Sequence, residues 1–153
     1  MTAGQIVALF RPDVKGLPQV ALTEAEMIAD QGIVGDRHGK PGSKRQVLLM
    51  NRALIDHFGL QPGDLDENLT VDGLMIDDLQ RGQQLRIGSV LLEITIACPV
   101  CDKLDTIRPG LRTELRDRRG MFTRVLSSGK VRIGDSITIE TTMPIAPSAT
   151  RQE

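Results

Sequence analysis

Aromatic residues are scarce in this sequence, which has three phenylalanines and neither tryptophan nor tyrosine among 153 residues. An excess of positive charge is also lacking, because 19 basic side chains face 20 acidic ones. Proteins that bind nucleic acids non-specifically present a basic surface, and those that bind single strands stack bases on aromatic rings. We therefore expect no nucleic-acid partner.

Long apolar runs are missing as well. No stretch approaches the roughly 20 apolar residues of a membrane-spanning helix, and residues 1–16 lack the basic and apolar regions of a signal peptide. We expect no membrane association and a cytoplasmic location. In that compartment the two cysteines, Cys98 and Cys101, are expected to be free, catalytic or metal-linked rather than joined in a structural disulfide.

Short apolar segments separated by glycines occupy most of the chain, and they predict a mostly β, barrel-like domain with a few short helices. The segments LRIGS (85–89) and VRIGD (131–135) both have the form of a strand, a glycine corner and a second strand. We expect a single domain over residues 1–140 and a disordered C-terminal tail over 141–153. Strands are expected at 5–10, 18–22, 46–50, 67–71, 83–87, 90–96, 122–126, 130–133 and 136–140.

Three short helices are predicted between these strands. Asn51 is a good N-cap for a helix over residues 52–58, and Gly59 is placed to end it. Thr23 is a candidate cap for a second helix or turn over 24–30. Residues 109–119 are expected to hold a third helix, with mixed charges typical of a solvated face, although one or two of its arginines can reach a bound anion.

The two cysteines form a CPVC motif that directly follows an apolar strand. A thiol at a strand end is well placed for reaction, although free cysteines are often small buried hydrophobic residues. A thioredoxin-like function is disfavoured because Pro109 and Gly110 cut short any helix that follows. A structural zinc site needs four ligands, and the Cys and His residues present are Cys98, Cys101, His38 and His57. Such a site is disfavoured because His57 lies on the face of the predicted helix.

Residues 32–46 (GIVGDRHGKPGSKRQ) form a second candidate site. The segment is rich in glycine and charge, which predicts a loop whose backbone N–H groups and cations suit a phosphate. An ordinary solvated loop has the same composition, and the segment has no nucleotide P-loop pattern. Its charged side chains are Asp36, Arg37, His38, Lys40, Lys44 and Arg45.

The segments GIVGDRH, RQVLLM, ENLTVDGL, LQRGQQLRIGSVLLEIT, CPVC and GKVRIGDSI resemble the MOSC domain in order and spacing. This domain is the C-terminal domain of molybdenum-cofactor sulfurase, and the resemblance spans residues 32–139. It implies a pyruvate-kinase β-barrel-domain-like fold and binding of the molybdenum cofactor (molybdopterin). The protein would then be a sulfur carrier or a small molybdenum-dependent reductase of N-hydroxylated compounds.

The resemblance also implies roles for particular residues. Cys101 would carry sulfane sulfur as a persulfide in a sulfur carrier, or ligate molybdenum in a reductase, and Cys98 is a candidate to resolve the oxidised form of Cys101. One departure is that Ala97 and Cys98 stand where many relatives have a basic residue, so one anion contact is missing. The cofactor-binding residues implied are Gly35, Asp36, Arg37, His38, Lys44, Arg45, Glu67 and Asn68.

The implied partners are a pyridoxal-phosphate-dependent cysteine desulfurase for a sulfur carrier, or an electron-transfer protein for a reductase. Two other functions stay open. The domain can be a non-catalytic module that binds an anion or a partner, or a thiol-disulfide protein that uses Cys98 and Cys101. The leading hypothesis requires that the thiol of Cys101 and the basic loop, residues 36–45, share one pocket.

Overall fold

The structure is a computed structural model that describes residues 3–140. This part of the chain contains eleven strands and three short helices. The predicted tail, 141–153, lies outside the described residues. The strands are β1 (Ala3–Arg11), β2 (Val20–Leu22), β3 (Glu24–Ile28), β4 (Gly32–Ile33), β5 (Val47–Asn51), β6 (Leu69–Asp72), β7 (Gln84–Ile87), β8 (Val90–Ala97), β9 (Met121–Ser127), β10 (Gly129–Arg132) and β11 (Ser136–Ile139). The helices are α1 (Arg52–His57), α2 (Lys103–Ile107) and α3 (Leu111–Glu114), and a 3₁₀ turn covers Ile76–Asp78.

Seven of the strands form a closed barrel in the order β11-β7-β8-β9-β5-β6-β1. The barrel closes because β1 also pairs with β11, with Ala3 opposite Thr138. Neighbouring strands of the barrel are antiparallel except β5 and β6, which run parallel. Strand β2 extends the edge at β1, and a separate small sheet has the order β10-β3-β4. The predicted mostly β barrel with a few short helices is confirmed.

Two apolar clusters hold this architecture together. Alternate residues of β8, namely Val90, Leu92 and Ile94, point into the first cluster, which fills the barrel. All five residues of β5 are buried, because this strand also has the helical layer on its outer side. There Met50 joins a second cluster under the three helices, with Ile55, Leu60, Leu65, Leu104, Leu111 and Leu115.

The predicted glycine corners and the first helix are observed. Gly88 joins β7 to β8 with a φ of 58°, and Gly134 joins β10 to β11 with a φ of 98°. The side chain of Asn51 accepts a hydrogen bond from the backbone N–H of Ala53 at 2.8 Å, as an N-cap does, and Gly59 follows the helix with a φ of 71°.

One helix prediction was wrong, and one helix is shorter than the range predicted to hold it. Residues 24–28 form β3, in which Ala25 and Met27 are buried between exposed glutamates, so the segment has the two-residue period of a strand and pairs with β10. The helix expected over 109–119 is confined to Leu111–Glu114, and α2 lies before Pro109 instead. No helix within residues 3–140 has both the length and the apolar character needed to cross a membrane.

Candidate functional site

A cavity of about 710 Å³ lies where the loops after β1 and β4 meet β5, β9 and the segment that follows β8. This volume falls within the range of roughly 300–1,000 Å³ that is usual for small-molecule sites. The apolar part of the lining is formed by Pro12, Leu17, Pro18, Leu48 and Phe122. The cavity can therefore accept a ligand with a flat, apolar part.

The charged part of the lining carries an excess of positive charge. Its lining includes four cations, Arg37, Arg45, Lys103 and Arg119, together with His38, and only two carboxylates. Of these carboxylates, Asp66 is paired with the ammonium group of Lys103. The guanidinium of Arg45 lies over the ring of Phe122, 5.4 Å from its centroid, so a cation and an apolar ring of the lining are in contact.

The second carboxylate, Asp36, shapes the loop that follows β4. One of its oxygens accepts a hydrogen bond from the backbone N–H of His38 at 2.7 Å, which closes a tight local turn. The side chain of Asn68 donates to its other oxygen at 3.4 Å. Burial raises the pKa of Asp36, and the hydrogen bond from the His38 backbone acts in the opposite direction. Asp36, His38 and Asn68, which the sequence predicted for the site, are thus brought together.

Asn68 also holds three strands in place. Its Oδ1 accepts from the backbone N–H of Leu48 at 2.8 Å, and its Nδ2 donates to the carbonyl oxygen of Phe10 at 3.2 Å. Glu67, in contrast, is fully buried and does not line the cavity. Its Oε2 accepts from the backbone N–H of Gly63 and from the hydroxyl of Thr70, and burial raises its pKa.

Two other predicted residues also lie away from the lining. Gly35 has a φ of 88°, and a Cβ atom there would lie 3.0 Å from Nη1 of Arg11, so this glycine lets the Arg11 guanidinium pack against the loop. Arg11 in turn donates to the carbonyl oxygen of Val34 at 3.0 Å. Lys44 lines a second, smaller cavity of about 310 Å³ together with Arg81 and Arg124.

The two cysteines are in different environments. Cys98 is half-buried and lines the main cavity, and its backbone N–H donates to the carbonyl oxygen of Gly120 at 2.9 Å. Burial raises the pKa of the Cys98 thiol, while the nearby charges of Arg119 and Arg45 oppose this effect. Cys101 is exposed and is not part of the cavity lining. The thiol that shares the cavity with the basic loop is therefore that of Cys98 and not, as the sequence predicted, that of Cys101.

Arg119 was not singled out from the sequence. Its neighbours Arg112, Arg116 and Arg118 are exposed, as expected for a solvated face, but Arg119 is only 6% exposed and reaches the cavity. Its Nε and Nη1 are buried without a hydrogen-bond partner. The available signal was its position directly before Gly120 and β9, where the chain re-enters the barrel.

The zinc ligand set considered from the sequence is not assembled. Within residues 3–140 no three His, Cys, Asp or Glu side chains are grouped so that they can hold a metal ion. His57 is exposed at the end of α1, where its ring packs edge-on against Phe58 at a centroid distance of 4.9 Å. His57 thus belongs to the helix surface.

Solved structures with this fold share little sequence with the chain. The YuaD protein from Bacillus subtilis has a TM-score of 0.72 at 18% identity, with 90% of this chain and 95% of that one covered. YiiM from Escherichia coli has a TM-score of 0.65 at 20% identity, and YiiM from Geobacillus stearothermophilus has 0.65 at 18%. These two comparisons cover 90% of this chain and 70% and 73% of the other chains, respectively.

No curated protein is significantly similar to the chain in sequence. The MOSC domain family, however, matches residues 35–138, a range that includes the basic loop, both cysteines and Arg119. This match covers more than half of the chain and agrees with the barrel and with the order of the motifs. The chain belongs to the MOSC domain family.

Proposed function

We propose that this protein binds a molybdenum–pterin cofactor in the cavity of about 710 Å³ and uses a cysteine thiol to carry sulfur for it. The MOSC family is associated with this cofactor. The observation that carries the proposal is that apolar and cationic side chains line the same cavity. A pterin that bears a phosphate needs both, because its ring is flat and its phosphate is dianionic.

The residues present fit such a group. Leu48 and Phe122 offer the apolar surface for a ring, and Asn68 and Gln46 line the same cavity with polar side chains. Arg37, on the exposed loop, and Arg45, over Phe122, line the cavity as cations and would hold the phosphate by charge-assisted hydrogen bonds. When bound, the cofactor would supply a metal centre that accepts a terminal sulfur or takes part in two-electron redox chemistry.

Cys101 is suited to accept sulfur from another protein. It is exposed, and it lies two residues before α2. We propose that a pyridoxal-phosphate-dependent cysteine desulfurase is the donor. The Cys101 thiolate would attack the outer sulfur of the persulfide on the donor, the S–S bond of that persulfide would break, and the donor cysteine would leave as a thiolate. A persulfide moves from one protein to the other without net oxidation.

The first experiment tests cofactor binding. The protein is produced together with the cofactor-synthesis enzymes, and its molybdenum and its oxidised, fluorescent pterin are measured. We expect both in the wild-type protein and less of both in Arg37→Gln, with Arg52→Gln as the control because Arg52 is exposed on α1, away from the cavity. Wild-type protein that carries neither would overturn the proposal.

The second experiment tests sulfur transfer. The protein is incubated with a cysteine desulfurase and free cysteine, and its sulfane sulfur is then released with cyanide and measured as thiocyanate. We expect cyanide-labile sulfur on the wild-type protein and on Cys98→Ser, and none on Cys101→Ser. A reductase would instead retain molybdenum and turn over N-hydroxylated compounds with an electron-transfer protein, without a persulfide.

A non-catalytic binding module is the second candidate function. It is favoured by the position of Cys101 outside the cavity lining. For such a module, cofactor content would be the same in Cys101→Ser as in the wild type, and neither cysteine would accept sulfur. A thiol-disulfide protein would differ from both. Mild oxidation would join Cys98 and Cys101 in a disulfide, so both free thiols would be lost together, and this loss would not require the cofactor.

A further inference from the structure

We propose that Arg119 forms a subsite for a tetrahedral oxyanion, such as a phosphate group, in the wall of the main cavity and directly beside Cys98. This inference deepens the proposed function, since the phosphate of a pterin cofactor is the ligand group that it would receive. The subsite itself requires only the oxyanion, so it can be tested on protein that contains no cofactor.

The first observation is that the positive charge of Arg119 is buried and unpaired. The side chain reaches the cavity although the residue is only 6% exposed, and neither Nε nor Nη1 has a hydrogen-bond partner. Placing a guanidinium in the protein interior without hydrogen-bond partners is costly, because the charge loses its hydration and the nearby charges of Glu67 and Asp77 offset this loss only in part. An anion bound against the guanidinium would reduce this cost.

The acidic neighbours of Arg119 are already engaged elsewhere. Its charge acts on Glu67 and Asp77, yet the bonded oxygen of each carboxylate accepts from other groups, namely Gly63 and Thr70 for Glu67 and the backbone N–H of Gly120 for Asp77. The second oxygen of each has no partner either. Burial raises the pKa of both carboxyl groups, and the charge of Arg119 acts in the opposite direction. Neither carboxylate accepts a hydrogen bond from Nε or Nη1 of Arg119, so these groups have no protein partner.

The backbone fixes where that charge is presented. Gly120, the next residue, donates to Asp77 at 2.9 Å and accepts from the backbone N–H of Cys98 at 2.9 Å. Arg119 and Cys98 are thereby tied to the same point of the barrel, and both line the cavity. Arg45 is the other cation that acts on the Cys98 thiol. Two guanidinium groups near one thiol can hold the two negative charges of a phosphate.

Cys98 is a built-in reporter for this subsite. Arg119 and Arg45 favour the Cys98 thiolate, which is the form that reacts with iodoacetamide. A bound oxyanion neutralises these cations and obstructs the thiol, and both effects slow alkylation. Cys101 serves as the internal control in the same molecule, because it is exposed and does not line the cavity.

The test measures the alkylation rates of the two cysteines by mass spectrometry, in cofactor-free protein, with inorganic phosphate against chloride at equal ionic strength. We expect phosphate to slow the reaction of Cys98 and not that of Cys101. Arg119→Gln should weaken this protection roughly ten- to hundredfold, which is the usual cost of losing hydrogen bonds to a charged group. Arg116→Gln is the matched control, since Arg116 is exposed on the same segment.

The proposal is overturned if phosphate protects both cysteines from alkylation equally, or protects neither. It is also overturned if the protection of Cys98 survives Arg119→Gln. In these cases ordered water would cover the buried guanidinium. If Arg119→Gln does not fold, Arg45→Gln replaces it, since Arg45 is exposed and its loss should also weaken protection. Glycerol phosphate is the second probe. Stronger protection by this ester than by inorganic phosphate assigns the subsite to an organic phosphate, and the reverse order assigns it to free phosphate.

This outcome is separate from that of cofactor binding. Protection by phosphate in a protein that never acquires a pterin would leave the subsite intact and refute the proposed function. The opposite outcome is a protein that acquires the pterin although phosphate does not slow the alkylation of Cys98 in its cofactor-free form, or although Arg119→Gln leaves its cofactor content unchanged. This outcome would support the proposed function and refute the subsite.

Discussion

The backbone N–H of Cys98 donates to the carbonyl oxygen of Gly120 at 2.9 Å, one residue beyond the last register pair of β8 and β9, Ala97 with Met121. This hydrogen bond continues the ladder past the end of β8. Because Arg119 precedes Gly120, it also sets the cavity thiol beside the buried guanidinium. The site therefore depends on the conformation of one glycine.

Gly120→Ala should destabilise the fold severely. Gly120 has a φ of 101°, and a Cβ atom there would lie 2.5 Å from the carbonyl oxygen of Leu49. The left-handed conformation and the clash together should lower the free energy of unfolding by about 3 kcal/mol or more. Urea denaturation followed by circular dichroism measures this change.

Gly134→Ala is the matched control for that variant. Gly134 has a nearly equal φ of 98°, but a Cβ atom there would have no other atom within 4 Å. It should lose only about 1–2 kcal/mol, the cost of the left-handed conformation alone. Equal losses in the two variants would show that the close approach to Leu49 does not matter.

The barrel was predictable because its strands obey local rules. Gly88 and Gly134 mark corners, and the apolar alternation along β8 gives the face that points inward. The prediction for residues 24–28 was wrong because two glutamates that follow a threonine resemble the start of a helix. The strand there is stabilised by its pairing with β10, about a hundred residues later, which no local pattern reveals.

The site was predictable only in part, and for the same reason. The basic loop and Asn68 could be found from their motifs, and the structure brings them to one cavity. Which of Cys98 and Cys101 lines the cavity could not be predicted from the sequence, since both follow the same strand. The burial of Arg119 could not be predicted from its neighbours in the sequence, which are exposed arginines. It arises from the packing of β9 against the turn that carries Asp77.

Asn68→Ala should reduce stability whether or not a ligand is bound. The variant would leave the backbone N–H of Leu48 without its acceptor and remove the bond to Phe10, both at a buried junction of strands. The expected loss is about 2–4 kcal/mol in urea denaturation. Asn68→Asp should also lose stability, because it keeps the acceptor for Leu48 but sets a carboxylate oxygen against the carbonyl oxygen of Phe10 and the carboxylate of Asp36. A stable Asn68→Ala protein would instead mean that this residue serves only the ligand.

Stability should fall as the pH rises through the acidic range. Burial raises the pKa of Glu67, Asp36 and Asp77 in the folded protein, so the folded state holds more protons than the unfolded state between the ordinary carboxyl pKa and the raised value. The slope of stability with pH is then negative in that window. Glu67→Gln should make this slope shallower in urea titrations from about pH 4 to about pH 8. An unchanged slope would assign the effect to the two aspartates.

The two thiols should react in a defined order in the ligand-free protein. Cys98 is half-buried, and burial raises its pKa, so its thiolate forms only at a pH above that of an ordinary thiol. Cys101 is exposed and needs no opening of the structure to meet iodoacetamide. Cys101 should be alkylated first near neutral pH, and Cys98→Ser should leave its rate unchanged. In Arg119→Gln the rate at Cys98 should fall further, because a cation that favours its thiolate is gone. If Cys98 reacts first, the cations of the cavity outweigh its burial, and the thiol in the cavity is already activated.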